Sequence, residues 1–198
     1  MTAPKNLWSS LLFVTLVNGC AAALPDRIAD SNVSATSLTG KSATPFRIAD
    51  NKAVLLLFVT HDCPISNAYA REYSRIRTEY VGRKVSTWLI YVDPDADAKD
   101  LKGHMSEFGL RGYSAIHDRR HKVVSAAGAR MTPEAVVVRP DGKIAYRGRV
   151  DNLYADYGKR RRNATVRDVR DALDAVLAGK PVKNSRTEAI GCFIPPLK

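Results

Sequence analysis

A chain of 198 residues with 45% hydrophobic residues has the composition of a globular protein and enough apolar material for one domain with a sizeable core. Its formal net charge of +11 admits nucleic acid, anionic lipid or an acidic partner. No zinc-finger spacing and no aromatic-basic RNA signature accompanies the charge, which sets nucleic acid aside and leaves a solvated basic surface as its account.

Residues 1–23 read as a processing segment. Lys5 supplies a positive start, and Leu11 to Val17 is an apolar region too short to span a bilayer. Two cleavage patterns fit. Ala21-Ala22-Ala23 is a small-residue site that ends a signal peptide at 23. Val17-Asn18-Gly19-Cys20 is similar to a lipobox that ends the signal at 19, with Cys20 lipidated and attached to a membrane. Both export the chain, to the periplasm or to the outer side of a membrane, where the environment is oxidising. Of three cysteines, Cys63 and Cys192 then remain for chemistry, and only the fold can say whether they meet.

Residues 24–45 are rich in Ser, Thr, Ala and Asp and read as a linker or loosely packed arm with one short edge strand before Phe46. The domain proper is expected over 46–180, and a tail over 181–198. Val54 to Val59 is a continuous apolar run of strand length, the pattern of a strand buried on both faces. It breaks into a polar turn, then Cys63 and Pro64. Ile65, Tyr69, Tyr73, Ile76 and Tyr80 follow at helical spacing. Pro64 suits the first position of that helix, which puts Cys63 at its N-cap. There the free N–H groups and the helix dipole favour a thiolate, and so a nucleophilic sulfur. The competing reading is a buried structural cysteine. Around it, His61 adds positive charge or relays a proton, or else faces solvent. Thr60 hydrogen-bonds the sulfur or fills the strand end. Ser66 helps to hold the thiolate or satisfies a first-turn N–H.

Lys84 to Val92 is a second buried strand closed by Asp93-Pro94. A helix is predicted over 97–109, with Leu101, Met105 and Phe108 on one stripe and Gly109 ending it. Tyr113 to Ile116 is extended and 119–128 a short helix. The β-α-β-α order favours an α/β fold with a parallel sheet between helices. In Met131-Thr132-Pro133-Glu134-Ala135, a proline enters a β-branched strand. A cis Thr132–Pro133 bond explains it, with a trans proline at a strand start as the alternative. Arg139 to Lys143 is a tight turn that joins Ala135–Val138 to Ile144–Gly148 as a hairpin. Residues 151–163 read as a polar, basic loop. The last helix is expected to open with Thr165 as N-cap and Asp168 three residues on. Its buried face is Val166, Val169, Leu173, Val176 and Leu177, and Gly179 stops it. The tail carries Ile190-Gly191-Cys192-Phe193-Ile194, apolar enough to dock on the domain.

This order resembles the thioredoxin fold, a central mixed sheet flanked by helices. Cys63 and Thr132-Pro133 stand where that fold carries its nucleophile and its cis-proline. Arg139-Pro140-Asp141-Gly142-Lys143 is similar to the hairpin of TlpA-type and AhpC/TSA-like (peroxiredoxin-type) redoxins. Asp62-Cys63-Pro64-Ile65-Ser66-Asn67-Ala68-Tyr69 and the Gly191-Cys192 tail most resemble a group of exported bacterial redoxin-domain proteins. Two departures stand out. Ser66 occupies the place of the second thioredoxin cysteine, and Leu56 the place of the peroxiredoxin proline, whereas Thr60 matches the peroxiredoxin threonine.

The resemblance implies an oxidoreductase that needs no cofactor. Cys63 attacks a protein disulfide or a small peroxide. Cys192 is the internal resolving candidate, the other reading being a small hydrophobe packed between its neighbours. An external thiol resets the cycle, and the Thr132-Pro133 backbone docks peptide by strand addition. Two alternatives stand beside this: a copper-binding module of the SCO type, with Cys63, Cys192 and His61 or His117 as ligands, and a redoxin fold that only binds partners.

Overall fold

In a computed structural model, which describes residues 24–197, the apolar run forms an interior strand of the main sheet. The signal peptide and Cys20 expected from the sequence lie outside that span. Eleven strands and five helices follow in chain order. They are β1 (Ala35–Ser37), β2 (Ser42–Ala43), β3 (Ala53–Val59), α1 (Pro64–Ala68), α2 (Ala70–Val81), β4 (Val85–Tyr91), α3 (Ala98–Glu107) and β5 (Ser114–His117). After these come α4 (Lys122–Ala127), β6 (Met131–Thr132), β7 (Glu134–Val138), β8 (Ile144–Gly148), β9 (Tyr154–Asp156), β10 (Lys159–Arg160), α5 (Asp168–Leu177) and β11 (Cys192–Phe193).

The main sheet has the order β2-β1-β5-β4-β3-β7-β8. Strands β3, β4 and β5 run parallel, and β7 and β8 antiparallel to their neighbours. This mixed sheet between helices is the thioredoxin-like arrangement. All of β3 is buried because its alternate side chains feed two cores. Leu55, Leu57 and Val59 pack with Tyr73, Ile76 and Tyr80 of α2 and Val169 and Leu173 of α5. Val54, Leu56 and Phe58 pack with Val123, Val124 and Ala127 of α4 and with Ile28 and Phe46 from the N-terminal segment.

Three elements differ from the sequence reading. Residues 24–45 hold two edge strands rather than one, and the segment is stitched to the sheet. Ile28 N donates to Gly142 O at 2.9 Å, Ile144 N to Asp26 O at 2.9 Å, and Leu38 N to Ala115 O at 3.0 Å. Within it Ile28 and Leu38 are buried, as is Phe46 just after it. Residues 151–163 contain the β9–β10 hairpin instead of an open loop. The last helix begins at Asp168, not after Thr165. Asn152 Oδ1 accepts the N–H groups of Thr165 at 2.8 Å and Val166 at 3.0 Å, which holds that stretch out of the helix. Val166 stays 36% exposed, and Asp168 pairs with Arg149 at 2.8 Å instead of capping. No helix among the described residues is long and apolar enough to cross a membrane.

The tail returns across the sheet. Arg147 N donates to Ser185 O at 3.0 Å and Thr187 N to Arg147 O at 3.1 Å. Thr187 Oγ1 meets the Tyr146 hydroxyl at 2.5 Å and accepts from Arg149 N at 3.1 Å. Gly148, at φ +152°, lies so close that a methyl group on it would overlap Thr187.

Leu56 is fully buried between the sheet and α4. Leu56→Ala is expected to lower unfolding free energy by about 2–5 kcal/mol through lost burial and the cavity left behind. Urea denaturation checks this: the midpoint should drop with the slope unchanged.

Candidate active site

Two strand ends and one helix start build the site. β3 and β4 are parallel with Val59 opposite Tyr91, so the turns after them emerge side by side. The first turn delivers Cys63 as the N-cap of α1, with Pro64 in the first helical turn. The Cys63 sulfur is 1% exposed as part of its residue. It accepts a hydrogen bond from Ser66 N at 3.4 Å and donates one to Thr132 O at 3.3 Å. Ser66 therefore serves the sulfur through its backbone, a contact that other residue types can supply. The Thr132–Pro133 bond is cis, and Thr132 ends β6 just before β7, whose antiparallel pairing sets Glu134 opposite Phe58 near the end of β3.

The tail brings in the second sulfur. β11 pairs antiparallel with β6, Cys192 opposite Thr132 and Phe193 opposite Met131. Ile194 N extends the pairing to Arg130 O at 3.1 Å. Cys192 Sγ stands 2.6 Å from Cys63 Sγ, and both cysteines are free. That separation is shorter than a nonbonded sulfur contact and longer than the roughly 2.05 Å of a disulfide. Gly191 makes the approach sterically feasible, since a methyl group there would overlap the Thr132 carbonyl. Thr60 reaches the site indirectly. Its hydroxyl meets Thr132 Oγ1 at 3.3 Å, and Thr132 Oγ1 donates to Cys192 O at 3.4 Å. Glu134, buried just past Pro133, accepts the N–H groups of Arg130 at 2.6 Å and Met131 at 3.0 Å and so holds the start of β6.

Electrostatics set the state of the thiol on the tail. Burial pushes the Cys192 thiol up to about 12, helped by its hydrogen bond to Cys63 and by the nearby charges of Cys63 and Asp62. At neutral pH Cys192 keeps its proton.

Beside the sulfurs runs a polar chain of which the sequence reading named only His61. His61 Nδ1 meets Asp93 Oδ1 at 2.6 Å, and the same oxygen accepts His61 N at 3.3 Å. Burial raises the Asp93 carboxyl against the opposing pull of His61. Asn67 Nδ2 donates to His61 O at 2.9 Å, and Asn67 Oδ1 accepts from His104 Nε2 at 2.8 Å. His104 Nδ1 in turn accepts from the Tyr91 hydroxyl at 2.8 Å. Two signals could have located it. Asp93 stands two residues past β4 as His61 stands two past β3, so the parallel register sets them opposite. His104 lies on the Leu101–Met105–Phe108 stripe and is therefore an inward-facing histidine.

The structure thus gathers Cys63, Cys192, Thr132, Pro133 and, through hydrogen bonds, Thr60 and Ser66. His61 is tied to Asp93. Among the described residues, His61, Asp62 and Asp93 form a group able to hold a metal ion, and the cysteine sulfurs are not in it. His117 Nε2 is engaged by the backbone O of Asp93 at 2.7 Å. The soft-ligand set expected for copper is not gathered.

The model of the AhpC/TSA family matches residues 29–147. None of the curated proteins compared matches the chain. A hypothetical protein of Sinorhizobium meliloti 1021 has a similar solved structure, at 25% identity and a TM-score of 0.73 over 87% of this chain and 93% of that one. An uncharacterized conserved protein of Geobacillus kaustophilus is similar at 24% identity and a TM-score of 0.73, over 88% and 94%. A secreted disulfide oxidoreductase of Mycobacterium tuberculosis shares the fold at 20% identity and a TM-score of 0.53, over 75% and 96%.

Burial, and secondarily the charge of His61, holds His104 down at about 4. The unfolded chain, with an ordinary value of about 6.5, takes up that proton first as the pH falls. This group's contribution is therefore lost as pH drops from about 6.5 to about 4. The urea midpoint should fall between about pH 7 and about pH 4.5, and His104→Gln should reduce that fall.

Proposed function

The chain belongs to the AhpC/TSA family, and from that premise we propose that it is a thiol-dependent oxidoreductase of the redoxin type, with Cys63 as nucleophile and Cys192 as resolving thiol. The observation that carries this reading is the 2.6 Å approach of the two sulfurs. The raised Cys192 thiol gives the pair a direction. Cys192 keeps its proton while Cys63, at the helix N-cap, is the sulfur that attacks.

The Cys63 thiolate attacks one sulfur of a disulfide, forming a mixed disulfide and expelling the other sulfur as a thiolate. With a hydroperoxide it attacks the outer oxygen instead, giving a sulfenic acid and an alcohol or water. Cys192 then gives up its proton to the departing group, and its sulfur attacks that of Cys63. A Cys63–Cys192 disulfide forms, and the substrate thiol or water leaves. An external dithiol reduces the disulfide by two exchanges and is itself oxidised. Ser66 N–H supports negative charge on Cys63. The Thr132-Pro133 backbone offers the edge on which a peptide substrate lies. His61, held by Asp93 and half-exposed, is placed to relay protons with solvent through its other ring nitrogen. No cofactor takes part.

The cycle suits an oxidising compartment. The N-terminal segment reads as an export signal, and the similar M. tuberculosis protein is described as secreted. We place the mature chain outside the cytoplasm, as a periplasmic protein or a lipoprotein on Cys20. Its redoxin domain takes in 24–180, since residues 24–45 supply β1 and β2 of the main sheet, and its tail is 181–198.

A non-reducing peptide map of the protein, before and after hydrogen peroxide or a small disulfide, tests the cycle. A Cys63–Cys192 link should appear on oxidation. Cys63→Ser should lower turnover to background, and Cys192→Ser should leave Cys63 as a sulfenic acid or mixed disulfide. A Cys63 that reacts with neither oxidant overturns the reading.

A further inference from the structure

β6 is an edge of two residues beside the reactive sulfur, and the chain's own tail already lies on it. The register sets Cys192 opposite Thr132, which brings its sulfur to Cys63. Shifting that register by one residue would turn the cysteine to the other face. The flanking residues meet different surroundings. Gly191 lies over the Thr132–Pro133 peptide, where a methyl group would overlap the Thr132 carbonyl and come within 2.9 Å of Pro133 Cδ. That carbonyl cannot shift freely, because Glu134 holds the start of β6 through the N–H groups of Arg130 and Met131, and the residues after Pro133 are paired to β3. Phe193 on the other side is 81% exposed. The site is therefore strict about the residue before the incoming cysteine and indifferent to the residue after it.

The geometry points to a sequence rule for the protein substrate: the edge at Met131–Thr132 takes an extended segment in which glycine immediately precedes the cysteine, and the Gly191-Cys192-Phe193 tail is its built-in competitor. This rests on the reading of Cys63 as nucleophile. In the exchange, the Cys63 thiolate attacks the sulfur of the Gly-Cys cysteine. A Cys63–substrate bond forms, the substrate's own disulfide breaks, and its other sulfur leaves with the electron pair. The docked tail excludes a second strand from the same edge. A tethered segment competes at an effective concentration on the order of millimolar, so a free segment at a tenth of that reacts about tenfold more slowly while the tail is in place.

The test uses the full chain with Cys192→Ser, which prevents internal resolution, with and without Gly191→Ala, which pushes the tail off the edge. Ile194→Pro, which removes the N–H given to Arg130 O, loosens the tail independently. The probes are two peptides with the tail's sequence from Ala189 to Ile194, their cysteine activated as the 2-thiopyridyl disulfide, one with the native glycine and one with alanine in its place. Released thiopyridone reports attack by Cys63, and 2,2′-dithiodipyridine serves as the small reagent without a peptide. We expect the glycine peptide to react about tenfold faster than the alanine peptide, and about tenfold faster with either loosened tail than with the docked one. Equal rates for the two peptides, with a normal rate for the small reagent, overturn the sequence rule and leave Cys63 as nucleophile. A rate unchanged by both Gly191→Ala and Ile194→Pro overturns the competitor role. Failure of the small reagent to react in every variant overturns the reading of Cys63 itself.

Discussion

The carbonyl of Thr132 is the point on which the site depends. One backbone oxygen receives the Cys63 thiol, faces Gly191 with no room for a side chain, and belongs to the strand that aligns Cys192. Everything around it serves to keep it in place. Glu134 holds the two preceding N–H groups, the Thr60 hydroxyl braces the Thr132 side chain, and β7 fixes the following residues against β3. A backbone atom is well suited to this work, since it does not depend on a side-chain rotamer and keeps its polarity at any pH. Burial then keeps the proton on the tail's thiol, helped by its hydrogen bond to Cys63.

Much of this was legible in the sequence, and for a physical reason. A strand buried on both faces must be apolar throughout, so Val54 to Val59 announced itself, and the proline after Cys63 marked the helix start and hence the N-cap. The wide spacing of Cys63 and Cys192 carried no such signal. Their meeting depends on a tail crossing β8 and on a two-residue strand, and pairings that short have no periodicity to read. Asp93, Asn67 and His104 were missed for a related reason. With His61 they come from two strand-end turns and two helices, and the His61–Asp93 hydrogen bond follows from parallel register rather than from local pattern. The start of the last helix was misplaced because Thr165 followed by Asp168 imitates a cap, whereas Asn152, distant in sequence, had already claimed the relevant N–H groups.

The chain of hydrogen bonds from His61 to Tyr91 crosses the boundary between reactive turn and core. From His61 through Asn67 and His104 to Tyr91 every link is made, with a neutral imidazole that accepts from Tyr91 and donates to Asn67, whereas Asp93 Oδ2 beside His61 is buried without a hydrogen-bond partner. A buried network of this kind costs little when complete and much when one partner is lost. It joins α3 to the turn that carries Cys63, so the packing of a helix and the posture of the reactive loop are not independent.

The anchorage of Thr187 divides the tail into two parts with different fates. Up to Thr187 the chain lies along β8, the last strand of the main sheet, and takes up hydrogen-bonding groups that would otherwise form a free edge. Beyond it, five residues from Glu188 to Cys192 are the whole leash of the second sulfur. At about 3.5 Å per extended residue they let that sulfur range no farther than roughly 17 Å from its mooring. Movement of Cys192 within that radius therefore leaves the β8 edge covered, because the part of the tail that covers it ends at Thr187.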